Sequence, residues 1–177
     1  DARGDIWVSH AYKGLYRLSL SADLTKVTSI KKYDEKQGLP GDYNINIFPI
    51  ENRLVFSTDM GFMLYDEIGD RFSAYTTLNK ELEGFSTANK IIPAGLRKYW
   101  FINHGKMSLV DLGQSGKISV DSNTFSVLNG RMVQYYENIS RISNNIYLIS
   151  VDDGFVIYDA TGSTAKSKPK LPAVLIR

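Results

Sequence analysis

The 177-residue chain contains no cysteine. That absence excludes disulfide frameworks, thiolate nucleophiles and cysteine-ligated metals, and leaves the compartment open. Long hydrophobic runs are missing as well. No stretch of about 18 apolar residues exists, so nothing reads as a membrane-spanning helix, and no membrane contact is expected of this segment. Histidine is scarce: His10 and His104 are the only two. A zinc centre needs three or four convergent ligands, so two distant histidines predict no metal site, and no cofactor is expected. Charge of one sign is not concentrated either. The 21 Lys and Arg residues face 19 Asp and Glu, and the basic residues are scattered. Without a basic stripe, no nucleic-acid partner is expected. A phosphate-cradling glycine loop, a nucleophile elbow and a zinc motif are all lacking. The opening Asp1–Trp7, "DARGDIW", is polar and is no signal peptide. It starts abruptly inside a structural pattern, which leads to the expectation of a fragment of a longer chain.

Aromatic residues are what the chain has: 11 Tyr, 8 Phe and 2 Trp. Such side chains favour the pleated surface of strands. They also recur in a pattern: an apolar strand, a polar tip, a glycine, then a second strand. The copies are "IWVSHAYKGLYRL" from Ile6, "LVFSTDMGFMLYD" from Leu54, "YWFINHGKMSLVD" from Tyr99 and "IYLISVDDGFVIYD" from Ile146. Aligned on Trp7, Val55, Trp100 and Tyr147, they stand 48, 45 and 47 residues apart. That period is the signature of β-propeller blades. Gly14, Gly61, Gly105 and Gly154 fall where a tight turn needs positive φ. Tyr65-Asp66 and Tyr158-Asp159 occupy one place in the repeat. Third strands are predicted at "SIKKYDE" and "FSAYTTL". Further strands are predicted at Tyr43–Ile50, Ala88–Ala94 and Tyr135–Ser143, each preceding the next hairpin. Helix is nearly absent; Asn79–Gly84 predicts one short turn. Trp7 and Trp100 are expected to be buried between neighbouring sheets at equivalent places.

The string "D-x-x-G-x-I-W-V", followed by "GLY" and "YDEKQGLPGDYN", resembles the two-component-regulator propeller repeat. The likeness is clearest over Asp1–Asn46 and Leu54–Tyr75, and "GLPGDYN" at Gly38–Asn44 is similar to the phrase that links such blades. The later units drift. The end, "TGSTAKSKPKLPAVLIR", looks like a polar linker followed by the "P-x-V-x-I" opening of an immunoglobulin-like, triple-tyrosine domain. The resemblance implies a bacterial extracytoplasmic sensor, periplasmic in location. Its kinase or DNA-binding output, its remaining blades and its downstream domain would lie outside this chain. The resemblance further implies detection of carbohydrate or other nutrient signals, and no residue-level binding motif carries over.

Together these readings predict an all-β fold of about four propeller blades, the C-terminal part of a larger propeller. The repeat units run near 1–48, 49–94, 95–141 and 142–160, a linker spans 161–171, and 172–177 is the first strand of the truncated domain. An incomplete ring predicts self-association, a homodimer included, or docking on the missing blades; the alternative is that four blades close alone, near the lower limit for propellers. Propeller tips gather on one face, so the ligand-binding candidates are the tip residues His10, Tyr12, Lys13, Asp59, Asn103, His104, Asp152 and Asp153. They offer donors, acceptors and an aromatic face, as an oligosaccharide or other small nutrient requires. Adjacent Asp152 and Asp153 are expected to point apart, which does not suit paired-carboxylate glycoside hydrolysis. No converging acid, base and nucleophile is visible, so no enzyme activity is expected. A propeller-based glycan-active enzyme and a passive interaction scaffold are the alternatives, since fold alone does not decide function.

Overall fold

A computed structural model describes residues 1–114 and 116–162. The linker beyond Gly162 and the predicted strand 172–177 lie outside the described residues. The chain divides into two compact units, Asp1–Ile91 and a second that begins at Ile92.

Four antiparallel sheets make up the fold, all of them simple meanders. The first contains β1 (Ile6–His10), β2 (Gly14–Leu20) and β3 (Val27–Tyr33). The second contains β4 (Asn46–Ile50), β5 (Arg53–Thr58), β6 (Gly61–Asp66) and β7 (Arg71–Ala74). The third contains β8 (Lys90–Gly95), β9 (Lys98–Asn103), β10 (Lys106–Asp111) and β11 (Ser119–Asp121). The fourth contains β12 (Ile139–Arg141), β13 (Ile146–Val151) and β14 (Gly154–Asp159). Sequential up-and-down sheets of three or four short strands are the units of a propeller-like fold. Each strand predicted ahead of a hairpin pairs with that following hairpin: β4 with β5, β12 with β13. The sheets therefore begin at β4, β8 and β12, and the unit limits at 48/49 and 94/95 pass through β4 and β8.

The tips follow from turn chemistry. The register closes at His10↔Gly14, Thr58↔Gly61, Asn103↔Lys106 and Val151↔Gly154. His104 and Gly105 both have positive φ, 47° and 75°, as a two-residue hairpin turn demands. The connection from β3 to β4 carries the "YDEKQGLPGDYN" phrase. Asp34 caps a 3-10 turn at Glu35–Gln37 by accepting from the Lys36 amide, and Gln37 reaches back to the Asp34 amide. Gly38 ends it at φ 88°, and a Cβ there would stand 2.6 Å from the Phe72 carbonyl oxygen. Only glycine fits, because β7 passes directly beneath. Leu39 then enters the core.

One prediction is corrected. The strand read at "FSAYTTL" stops at Ala74, and the short turn expected at Asn79–Gly84 is a helix, α1 (Thr76–Leu82), followed by a 3-10 turn at Glu83–Phe85. Leu78 and Leu82, one helical turn apart, share its buried face. The Asn79 side chain completes the lock: its Oδ1 accepts from the Phe62 amide at 2.7 Å and its Nδ2 donates to the Phe62 carbonyl at 3.0 Å. A contact across 17 residues thus holds this helix against β6.

Each unit has its own core. In the first, Leu15, Tyr33, Leu39, Ile45, Phe56, Met63 and Phe72 cluster between the first two sheets, with Trp7 packed against them. In the second, Trp100 is fully buried among Ile102, Phe125, Leu128, Tyr147 and Ile149. Trp7 touches Tyr65 edge-on with centroids 4.9 Å apart, and Trp100 touches Tyr158 at 5.8 Å. Both partners stand 58 residues after their tryptophan. The two indoles thus occupy equivalent places between sheets, although Trp7 is only half-buried.

Candidate functional site

The tip residues gather within each unit around the segment that connects its two sheets. In the first unit, His10 ends β1 and is exposed, and its Nδ1 accepts from the Tyr12 amide at 3.2 Å. The Lys13 amide donates to the His10 carbonyl, also at 3.2 Å. Tyr12 is 86% exposed, so its ring has no packing role. The connection Asp42–Ile45 runs past this hairpin and past the next. Lys32 on β3 holds Asp42 at 2.7 Å, and the Ser9 hydroxyl donates to the Ile45 carbonyl. Asn44 donates through Nδ2 to Asp59 at 2.9 Å, which ties the second tip to the same segment. His10, Tyr12, Lys13 and Asp59 are therefore arranged around one connection.

In the second unit the Asn103–His104 tip is tied by the Gly130 amide, which donates to the Gly105 carbonyl at 2.9 Å. The neighbouring Arg131 reaches the other tip. Its carbonyl accepts from the Asp152 amide at 2.7 Å, its Nε lies 3.8 Å from an Asp152 oxygen, and an Nη donates to Asp153. The two carboxylates do not diverge, as the sequence suggested; one guanidinium gathers both. A planar fork with five donors can serve two acceptors, which adjacent positions on a turn make possible. Asp152 and Asp153 remain exposed, Asn103 is half-buried and His104 is exposed.

At the β6–β7 turn of the first unit lies a second polar assembly, absent from the sequence reading. Tyr65 donates its hydroxyl to Asp70 at 2.6 Å, and Tyr33 donates to the same oxygen at 3.0 Å. Lys31 pairs with the other Asp70 oxygen. Arg17 donates to the Tyr65 hydroxyl at 2.9 Å while its guanidinium sits 5.6 to 5.7 Å from the ring centres of Trp7, Tyr33 and Tyr65. Lys31, with help from the Tyr65 hydroxyl, holds the Asp70 carboxyl down at about 2. Burial, reinforced by the neighbouring hydroxyl or carboxylate, pushes both tyrosines upward. Phenols held protonated, donating to a satisfied carboxylate, fasten two sheets together and offer no proton relay.

Sequence reasoning missed Arg131, which stands more than 20 residues from the acids it serves. It also missed Glu137, a buried carboxylate one residue beyond the exposed Tyr136. Among the described residues no three His, Asp or Glu side chains converge on a metal-sized site, and no helix is long and apolar enough to cross a membrane.

No family model matches the sequence, and no curated protein matches it. Solved structures do share its fold. The extracellular domain of BT4673 from B. thetaiotaomicron, described as a one-component system, aligns with a TM-score of 0.61 at 19% identity. A second structure of the BT4673 extracellular domain, described there as a hybrid two-component system, aligns with a TM-score of 0.57 at 18% identity. Each match covers 90% of this chain and 21% of the other. The chain thus spans about a fifth of the length of these structures, and the likeness is one of fold.

Proposed function

We propose that this chain is a ligand-sensing segment of an extracytoplasmic bacterial receptor, one part of a larger propeller. The observation that carries the reading is the shared fold over 90% of the chain with extracellular domains of a signalling system. Its sheets are four blades from the C-terminal part of that propeller. The receptor's kinase or transcription-regulator module lies outside this chain, the segment itself is periplasmic, and it relays a change of conformation rather than a reaction. No catalytic residue is assigned.

Exposed sheet faces support further blades. Ile6, Leu18 and Ile30 lie in register across the first sheet, and Ile30 is 66% exposed. Phe155 and Ile157, two apart on β14, are half exposed on the fourth. Apolar faces of this kind pack on a neighbouring sheet of the same repeat.

The ligand-binding candidates lie at the hairpin tips of each unit by itself: His10, Tyr12, Lys13 and Asp59 in the first, Asn103, His104, Asp152 and Asp153 in the second. Their exposed donors and acceptors, with the free ring of Tyr12, suit a hydroxyl-rich ligand such as an oligosaccharide. A ligand signals only if it binds two arrangements of the receptor with different affinity. The test is calorimetric titration of oligosaccharides into the receptor's full extracellular region, as wild type, Tyr12→Ala and His104→Ala. Weaker binding in either variant is expected. Equal binding in all three would remove the tips from the site.

A further inference from the structure

Glu137 is 2% exposed, and neither carboxylate oxygen has a hydrogen-bond partner. Burial of a carboxylate without a donor or counter-charge strongly opposes folding. Packing does not require it. Ile139 pairs with Ile149 as Ile47 pairs with Phe56, so the position two residues before Ile139 corresponds to the one two residues before Ile47. There the first unit places Ile45, itself 4% exposed. An isoleucine fills this corner of the core in one unit; a carboxylate without partners fills it in the other.

The position is at the tip. The Ser150 amide donates to the Asn138 carbonyl at 3.0 Å, which continues the β12–β13 pairing and brings Glu137 alongside the end of β13, just before Asp152 and Asp153. The chain leading into it is a turn, closed by the Tyr136 amide donating to the Val133 carbonyl at 3.0 Å. Tyr135 sits in that turn at φ 69°, an unfavourable conformation for a bulky residue. Tyr135 and Tyr136 are 77% and 78% exposed. Glu137 thus follows two exposed tyrosines and lies beside the end of the strand that leads to Asp152 and Asp153.

We propose that Glu137 anchors a small organic cation, a primary ammonium. Neutral hydroxyls would satisfy the oxygens and leave the charge uncompensated; an ammonium does both. Tyrosine faces attract the same group, and Arg131 already engages the two tip aspartates, which leaves Glu137 as the acid without a partner. The placement rests on the tip-sensing reading, and the cationic chemistry goes beyond it.

The test uses the full chain at low salt and neutral pH, with ethanolamine and glucosamine as probes and glucose as the neutral twin of glucosamine. Binding is followed by tyrosine ring shifts in NMR. Both amines are expected to bind and glucose is not. Glu137→Gln should weaken the amines on the order of 30-fold, as removal of one member of a buried charge pair does. Glu137→Ile, which installs the residue of the first unit, should unfold later than wild type and bind no amine, so loss of fold is separated from loss of site. The proposal is overturned if neither amine shifts the wild type, if glucose binds as well as glucosamine, or if Glu137→Gln binds amines unchanged. If neutral oligosaccharides bind while amines do not, the sensing reading stands and Glu137 falls. If amine binding depends on Glu137 but not on Tyr12 or His104, the reverse holds.

Discussion

Trp7 and Trp100 stand 93 residues apart, as do Tyr65 and Tyr158, so the two units pose one packing problem twice. They solve it differently. The cross-strand partner of Trp7 is Arg17; that of Trp100 is Leu109. In the first unit Arg17 lies over three rings, Asp70 gathers two phenols and a lysine, and the Trp7 indole N–H donates to Asp1 at 2.9 Å. In the second unit Phe125 and Leu109 close the corner, Trp100 is fully buried, and its indole N–H finds no partner. One sheet interface is fastened by charged side chains and hydrogen bonds, the other mainly by apolar packing, with the Tyr147 hydroxyl donating to the Ala94 carbonyl across it. The first should respond to pH and salt, and the second should not. A repeat therefore preserves the place of its large ring more strictly than the chemistry around it.

The largest expected effect separates the two tryptophans. Trp100→Ala should destabilise the second unit by about 3–5 kcal/mol, because a fully buried indole leaves a cavity. Trp7→Ala should lose distinctly less, about 2 kcal/mol, since its ring is half-buried. Urea melts of both variants measure the difference; equal losses would break the contrast drawn between the interfaces.

Arg17→Leu copies the second unit's solution into the first. Without the guanidinium, the Tyr65 hydroxyl loses a donor, and Asp5, 3.6 Å from Arg17 Nε, loses its counter-charge. A loss of about 1–3 kcal/mol is expected, with less dependence of the melting midpoint on salt. An unchanged midpoint at every ionic strength would mean that ring packing alone holds this interface.

The smallest effect is that of Asp70. Its carboxyl is depressed to about 2 in the folded chain, below the ordinary carboxylate value of 3.8. It therefore stabilises the fold above pH about 4, and that contribution is lost as pH falls through about 2. The side chain is 41% exposed, so the contribution is less than about 1 kcal/mol. Asp70→Asn should be less stable than wild type at pH 7, with the gap closing as pH falls through about 2. A gap that is the same at pH 7 and below pH 2 would trace the effect to packing.

Hairpins were legible from the sequence because two local signals coincide at each: period-two alternation and a tip glycine. All four tip glycines have positive φ. The helix α1 was misread because its N-terminal residues, Thr76 and Thr77, look like a continuing strand, and the decisive contact, Asn79 with Phe62, is not local. β11 was missed because it is three residues long and fully exposed, so no alternation betrays it. Of the site, the exposed tips were legible from turn polarity. Arg131 was not, because its partners are far along the chain, and Glu137 was not, because a glutamate after two tyrosines looks like any solvated turn.

The order of short strands, the tip glycines, the interfacial places of the two tryptophans and the all-β character follow from the amino-acid sequence by itself. These depend on side-chain alternation and backbone preference, which act over a few residues. Only the tertiary structure decided which sheet each connecting strand joins, where Gly38 must yield to the Phe72 carbonyl, that one interface is charged and the other largely apolar, and that Glu137 is buried. Those outcomes depend on what a distant segment brings into contact: burial and pairing belong to pairs of residues, and a single position in the chain carries no record of its partner.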